Sequence, residues 1–223
     1  MQTLPGDYDL PRQVAAQRLL DPVFYDALLP AGLQNALPVQ RLPWLSLWSH
    51  WIFAITLTDW AKRLCRERES LPLWDFSGQI LLNDRGLPEQ WLQRGTPCYL
   101  FSATQQWQHC QRLTDDFIRP LCHTLAELSG GNSRVFYSNA AVRLWAGMQQ
   151  AELQQADCSA VQQLLTATHL RDAETNPLCA PYRPQPHTQP QQVIRRHCCL
   201  LYRLEGYEKC ASCPLTHCRK KEC

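Results

Sequence analysis

The stretch RRHCCLLYRLEGYEKCASCPL, Arg195 to Leu215, decides how this chain is read: Cys198 and Cys199 are adjacent, ten residues follow, and Cys210 and Cys213 close the pattern. Clustered thiolates in such an arrangement bind a metal centre. Cys210-Ala-Ser-Cys213 has the usual Cys-x-x-Cys spacing, in which two intervening residues let the chain turn so that both sulfurs reach one tetrahedral ion. Cys198-Cys199 fits a single ion less well, because consecutive side chains of an extended segment point to opposite sides and only a tight bend unites them. A [2Fe–2S] cluster eases that geometry, since it is larger and takes two protein ligands on each of two irons. Four-thiolate zinc is the alternative left open by spacing alone.

Working outward, the surrounding segment is basic. Residues 195–223 hold Arg195, Arg196, Arg203, Lys209, Arg219, Lys220 and Lys221 against Glu205, Glu208 and Glu222, a balance of +4 in a chain whose net charge is +2. Such a surface offsets thiolate charge and can dock an acidic protein. It lacks the broad basic face of a nucleic-acid binder, so no nucleic-acid partner is expected. Six of the twelve cysteines lie after residue 197. The start, MQTLPGDYD, has neither a basic n-region nor an apolar h-region, so a cytoplasmic protein with reduced cysteines is expected. Cys65, Cys98, Cys110, Cys122, Cys158 and Cys179 are scattered and read as small buried hydrophobes.

Upstream lies a body of residues 1–176, then a strap of residues 177–194 in which Pro177, Pro181, Pro184, Pro186 and Pro190 exclude regular structure. Residues 195–223 form the third part, the cysteine segment. In the body, Val14, Leu19, Leu20, Phe24 and Leu28 recur at helical spacing, with a break at Asp21-Pro22. The aromatic run WLSLWSHWIFAITLTDW, Trp44 to Trp60, continues as a helix to Arg68. Ser46, Ser49, His50, Thr56, Thr58 and Asp59 interrupt it too often for a membrane span, which leaves at most a peripheral membrane contact. Leu73–Asp75, Gln79–Leu82, Cys98–Ser102 and Arg134–Tyr137 read as strands, being short apolar runs between turn residues. Leu113–Leu128 reads as a helix ended by Gly130-Gly131. Ser138 or Asn139 would cap a helix through Met148, and Asp157 or Ser159 one reaching Leu170. The expected class is α+β, a mainly helical body with a small antiparallel sheet and a C-terminal cysteine-rich segment.

With these residues in view, the chain resembles the FhuF-type ferric-siderophore reductases, whose signature is Cys-Cys-x10-Cys-x2-Cys. Tyr202-Arg203 and Cys213-Pro214-Leu215 are similar to the family as well, and Asn139-Ala140-Ala141 within YSNAAVRLW is similar to a segment shared with siderophore synthetases. The resemblance implies a [2Fe–2S] cluster on Cys198, Cys199, Cys210 and Cys213. It also implies one-electron reduction of a ferric, hydroxamate-type siderophore that releases Fe(II). No Gly-x-Gly-x-x-Gly is present, so electrons would come from a ferredoxin-like or flavoprotein partner rather than from bound nicotinamide. Tyr202, Tyr207 and the tryptophans are candidate stacking groups for the siderophore. Cys218 and Cys223 read as non-ligands, and His197 and His217 as neighbours of the sulfurs or exposed residues. A zinc-stabilised binding module and an iron–sulfur sensor without reductase activity are the competing readings.

Overall fold

A long helix explains the rest of the architecture. In the computed structural model, which describes residues 12–171, 174–185 and 193–217, helix α3 runs over Pro38–Glu67. It is preceded by strand β1 (Gln13–Ala15), a 3₁₀ turn at Ala16–Leu20, α1 (Pro22–Leu28) and the single turn α2 (Ala31–Gln34). Pro38 opens α3, where a missing N–H costs nothing, and the Leu37 N–H is taken by the Gln40 side chain. Trp48, Ile52, Phe53, Leu57, Trp60 and Leu64 then bury almost completely. Their burial pins α3 through the middle of the core.

The other elements wrap this axis. β2 (Glu69–Ser70) pairs with β5 (Cys98–Tyr99), while β1, β3 (Gln79–Leu82) and β4 (Pro88–Leu92) form an antiparallel sheet in the order β1-β3-β4. Helix α4 (Ala103–Leu113) begins with Ser102 and Gln105 capping one another and passes through a π turn at Thr114–Ile118 into α5 (Arg119–Leu128). Gly130 and Gly131, with φ of +83° and +92°, end it in the left-handed region. Helices α6 (Ser133–Glu152) and α7 (Ser159–Thr166) complete the body. The class is α+β with small antiparallel sheets, as expected.

Helix α6 is the partner of α3, and Gly147 marks a close approach between them. A Cβ there would lie 2.3 Å from the Thr58 carbonyl oxygen, so only glycine permits this approach. The close crossing brings the N-terminal halves of both helices against the cysteine segment.

Several local expectations are corrected. Val14 lies in β1, paired with Ile80, and α1 begins only after Asp21, whose carboxylate accepts from the Val23 N–H. The aromatic helix begins at Pro38 rather than Trp44, with Pro43 inside it. Leu73–Asp75 is a 3₁₀ turn rather than a strand, and of Cys98–Ser102 only Cys98–Tyr99 forms a strand. Arg134–Tyr137 belongs to α6, so neither Ser138 nor Asn139 is a cap: both are buried within that helix. Asp157 does accept from the Ser159 N–H at the start of α7, which stops at Thr166 rather than Leu170. Among the scattered cysteines, Cys98 is exposed and Cys179 half-buried. The remaining four are buried, and burial pushes the Cys110 thiol up to about 12.

Candidate iron–sulfur site

The strap enters the site as a ribbon. β6 (Tyr182–Pro184) pairs antiparallel with β7 (Val193–Arg195), with Tyr182 opposite Arg195. The proline-rich stretch thus contains a short strand that the sequence pattern did not reveal; Pro186 and Pro190 lie outside the described residues. The Arg195 N–H donates to the Ser212 carbonyl (2.8 Å) and the Arg196 N–H to the Pro181 carbonyl (2.9 Å). These bonds hold the Cys-x-x-Cys turn and the strap on either side of the backbone that leads into Cys198.

The tight bend demanded by adjacent cysteines occurs at Leu200, a non-glycine residue at φ 61°, whose N–H donates to the Cys198 sulfur at 3.4 Å. A left-handed leucine costs about 1–2 kcal/mol. Beyond it a 3₁₀ turn at Leu201–Arg203 and the left-handed Gly206 (φ +81°) return the chain, and the Cys213 N–H closes on the Cys210 carbonyl at 2.9 Å. Leu200, Leu201, Leu204 and Tyr207 pack on the body's core. The ten-residue spacer is therefore a docked loop that doubles back.

All four sequence-selected thiols are brought together. The Cys198 and Cys213 sulfurs are 3.9 Å apart, and Cys199 is hydrogen-bonded to both Cys198 and Cys210. For comparison, two sulfurs on one tetrahedral metal at ~2.3 Å would be separated by about 3.8 Å. The sulfurs thus form a connected chain, Cys213 to Cys198 to Cys199 to Cys210. Among the described residues no three His, Cys, Asp or Glu side chains are arranged around a single ion. As free thiols they share protons unequally. Hydrogen bonds from Cys198 and then Cys210 hold the Cys199 thiol far below its ordinary value, with Arg195 adding a smaller attraction, while both donors are pushed up. Cys213 is 1% and Cys199 7% exposed, whereas Cys210 faces solvent. The site is sealed on one side and open at Cys210.

Beneath the sulfurs lies a buried polar network that sequence reasoning missed. Ser46 on α3 donates to the Cys199 carbonyl (2.6 Å), and Asn139 on α6 donates through Nδ2 to Ser46 and to Ser49 Oγ (2.9 Å). The Asn139 Oδ1 accepts from Arg195 Nη2 at 2.7 Å, and Ser138 Oγ accepts from the same nitrogen at 3.2 Å. Arg195 is 3% exposed, and no carboxylate pairs with it among the described residues. Its Nε, the Nε of Arg143 and the Nδ1 of His50 are buried without hydrogen-bond partners among the described residues. Burial, then the charges of Arg143 and Arg195, lowers the His50 pKa to about 3. An uncompensated buried cation costs several kcal/mol. A cluster bound by four thiolates carries net negative charge, so the donor set and the buried, carboxylate-free guanidinium both fit such a group.

His197 is half-buried, and burial, followed by nearby Arg196, lowers its pKa. The side chain of His217, together with Cys218, Arg219, Lys220, Lys221 and Cys223, lies outside the described residues. Tyr202 is flanked by Lys209 Nζ at 5.6 Å and Arg203 at 5.9 Å from its ring centre. None of the described helices is long and apolar enough to cross a membrane.

Residues 195–215 match the family model described as the FhuF 2Fe-2S C-terminal domain, a match that spans the strand, the bend and the returning loop just described. The segment is thus of the FhuF 2Fe–2S type, and its cofactor is a [2Fe–2S] cluster. No curated protein matches the chain.

Proposed function

We propose that this chain, whose cysteine segment is an FhuF-type 2Fe–2S domain, is a ferric-siderophore reductase in which Cys198, Cys199, Cys210 and Cys213 hold the cluster. The observation that carries the reading is the convergence of those four sulfurs beside a buried, carboxylate-free Arg195. A [2Fe–2S] cluster supplies one electron at a time. Ferric iron in a hydroxamate chelate accepts that electron and becomes Fe(II), which hard oxygen donors hold far more weakly, so iron leaves without hydrolysis of the siderophore. No general acid or nucleophile is required of the protein.

The residues around the sulfurs do three things. Ser46, Asn139 and Arg195 fix the Cys199 backbone and place a positive charge at the sealed side, which favours the more reduced state and so raises the potential. Cys199 and Cys213 are kept from water, and Leu200, Leu201, Leu204 and Tyr207 seat the intervening loop on the core. Exposed Lys209, next to Cys210 in the chain, and Arg203, which flanks the same Tyr202 ring, offer a landing surface for an acidic ferredoxin-like or flavoprotein donor, which restores the electron.

The test is anaerobic. Purified protein is expected to be brown, and its reduced form is expected to be reoxidised by ferric trihydroxamate with one Fe(II) appearing in a trap per cluster. A colourless zinc protein, or a reduced cluster indifferent to the ferric chelate, overturns the proposal. Charge reversal at Arg203 and Lys209 should slow reduction by an acidic donor about tenfold at low salt and leave little difference at high salt.

A further inference from the structure

A groove between α6, α7 and the strap lies next to the open side of the sulfur site. It offers about 560 Å³, within the ~300–1,000 Å³ typical of small-molecule sites, whereas the cleft beside His197 offers about 70 Å³. Its apolar floor includes Met148 and the rings of Trp145 and Tyr182, whose centres are 4.6 Å apart. Gln149, Glu152 and Gln162 supply polar groups along it, and the Gln149 amide donates to the Glu152 carboxylate. Tyr182 connects groove and sulfurs: its backbone pairs with Arg195, and its side chain lies within electrostatic reach of Cys210, the sulfur that faces solvent.

We infer that this groove is the seat of the ferric chelate, an inference that rests on the reductase reading above. The electrostatics select the ligand class. Among its described lining residues Glu152 is the only charged side chain. Three hydroxamates balance the charge of Fe(III), giving a complex that is neutral or, with an amine-bearing backbone, cationic. A ferric tris-catecholate is strongly anionic and would meet Glu152 as the one charge lining the groove, since Arg195 and Arg143 act on Tyr182 from outside that lining. The aromatic floor takes the apolar linkers of the chelator, the amides take its carbonyl oxygens, and the metal comes to rest beside Tyr182, a short path from Cys210.

Binding is measured separately from reduction by titrating cluster-loaded protein with a redox-inert gallium(III) trihydroxamate and following tryptophan fluorescence and calorimetry. The wild-type protein should bind it at least tenfold more tightly than a gallium(III) tris-catecholate. Trp145→Ala and Gln162→Arg should each weaken it by about tenfold or more, with the visible spectrum of the cluster and its reoxidation by a small inorganic oxidant unchanged. Gln162 is exposed, so its replacement keeps the test valid if Trp145→Ala folds poorly. Wild-type affinity in Gln162→Arg, or no gallium binding by the wild-type protein, overturns the seat. Reoxidation by the ferric trihydroxamate is read in parallel. If gallium binds but that reaction fails, the reductase reading falls and the seat does not; if the reaction proceeds equally in both variants, the seat falls and the reductase reading does not.

Discussion

The α3–α6 pair and the cysteine segment are held by opposite means. The helices bury large apolar faces in an approach so close that Gly147 has no room for a side chain. The segment contains a three-residue strand, a 3₁₀ turn and the single turn α8 (Pro214–His217), and its deepest attachment is the polar chain Cys199–Ser46–Asn139–Arg195. One region is stabilised by area, the other by a few directed bonds and by what its thiolates bind. Their stabilities should therefore separate. Cys199→Ser is expected to abolish the visible absorption entirely while far-UV circular dichroism keeps the helical signal of the body. Cooperative loss of both signals would break the distinction.

The converse change attacks the body. Gly147→Ala forces a methyl against the Thr58 carbonyl and is expected to cost about 3 kcal/mol, which for a chain of this size lowers the melting temperature by roughly 6–12 °C. The cluster should be lost only when the body unfolds, as simultaneous monitoring of visible absorption and circular dichroism would reveal.

Asn139→Leu strikes the joint between the two regions. It leaves Arg195 without its 2.7 Å acceptor and Ser46 without its donor, at a cost of about 2–3 kcal/mol. If the network anchors the segment, chelator should strip iron from the variant markedly faster than from the wild type. An unchanged rate would assign the anchoring to Leu200, Leu201 and Leu204 instead.

His50 adds a pH dependence to the same interface. Its folded pKa, near 3, lies below the ordinary 6.5, so the unfolded chain binds the extra proton first and the folded state loses stability as pH falls from about 6.5 towards 3. The slope is at most about 1.4 kcal/mol per pH unit and vanishes above that window. Urea midpoints measured from pH 7.5 to 4.5 should fall, and His50→Gln should flatten the decline.

The two regions also differed in how far the sequence disclosed them. The four thiols of the segment could be selected from spacing, because a metal site repeats its geometry as local intervals along the chain. The long aromatic helix was evident from length and apolar content. Arg134–Tyr137 misled because an arginine, a valine and two aromatic residues have strand propensity in isolation, whereas packing along α3 commits them to α6. Ser46, Ser49 and Asn139 looked like interruptions or a cap; the partners that join them across the site lie 56 to 153 residues away, and no local pattern encodes such a meeting. The β6–β7 ribbon was hidden by its prolines, which a two-stranded edge accommodates.

The smallest effect is expected at Ala180, where the body hands over to the strap. Its N–H donates to the Leu165 carbonyl while the next carbonyl, that of Pro181, accepts from Arg196, and its φ of 52° is one an alanine adopts at a cost of about 1–2 kcal/mol. Glycine removes that strain but adds freedom to the unfolded chain, so Ala180→Gly should change stability by no more than about 1 kcal/mol, in the stabilising direction. Its value lies in the second readout. If the segment is positioned by the Ser46–Asn139–Arg195 bonds, iron release to a chelator should be the same in this variant as in the wild type. Faster release at equal or higher melting temperature would mean that the bent alanine itself holds the ribbon against the body, and that directed bonds alone do not fix the sulfurs.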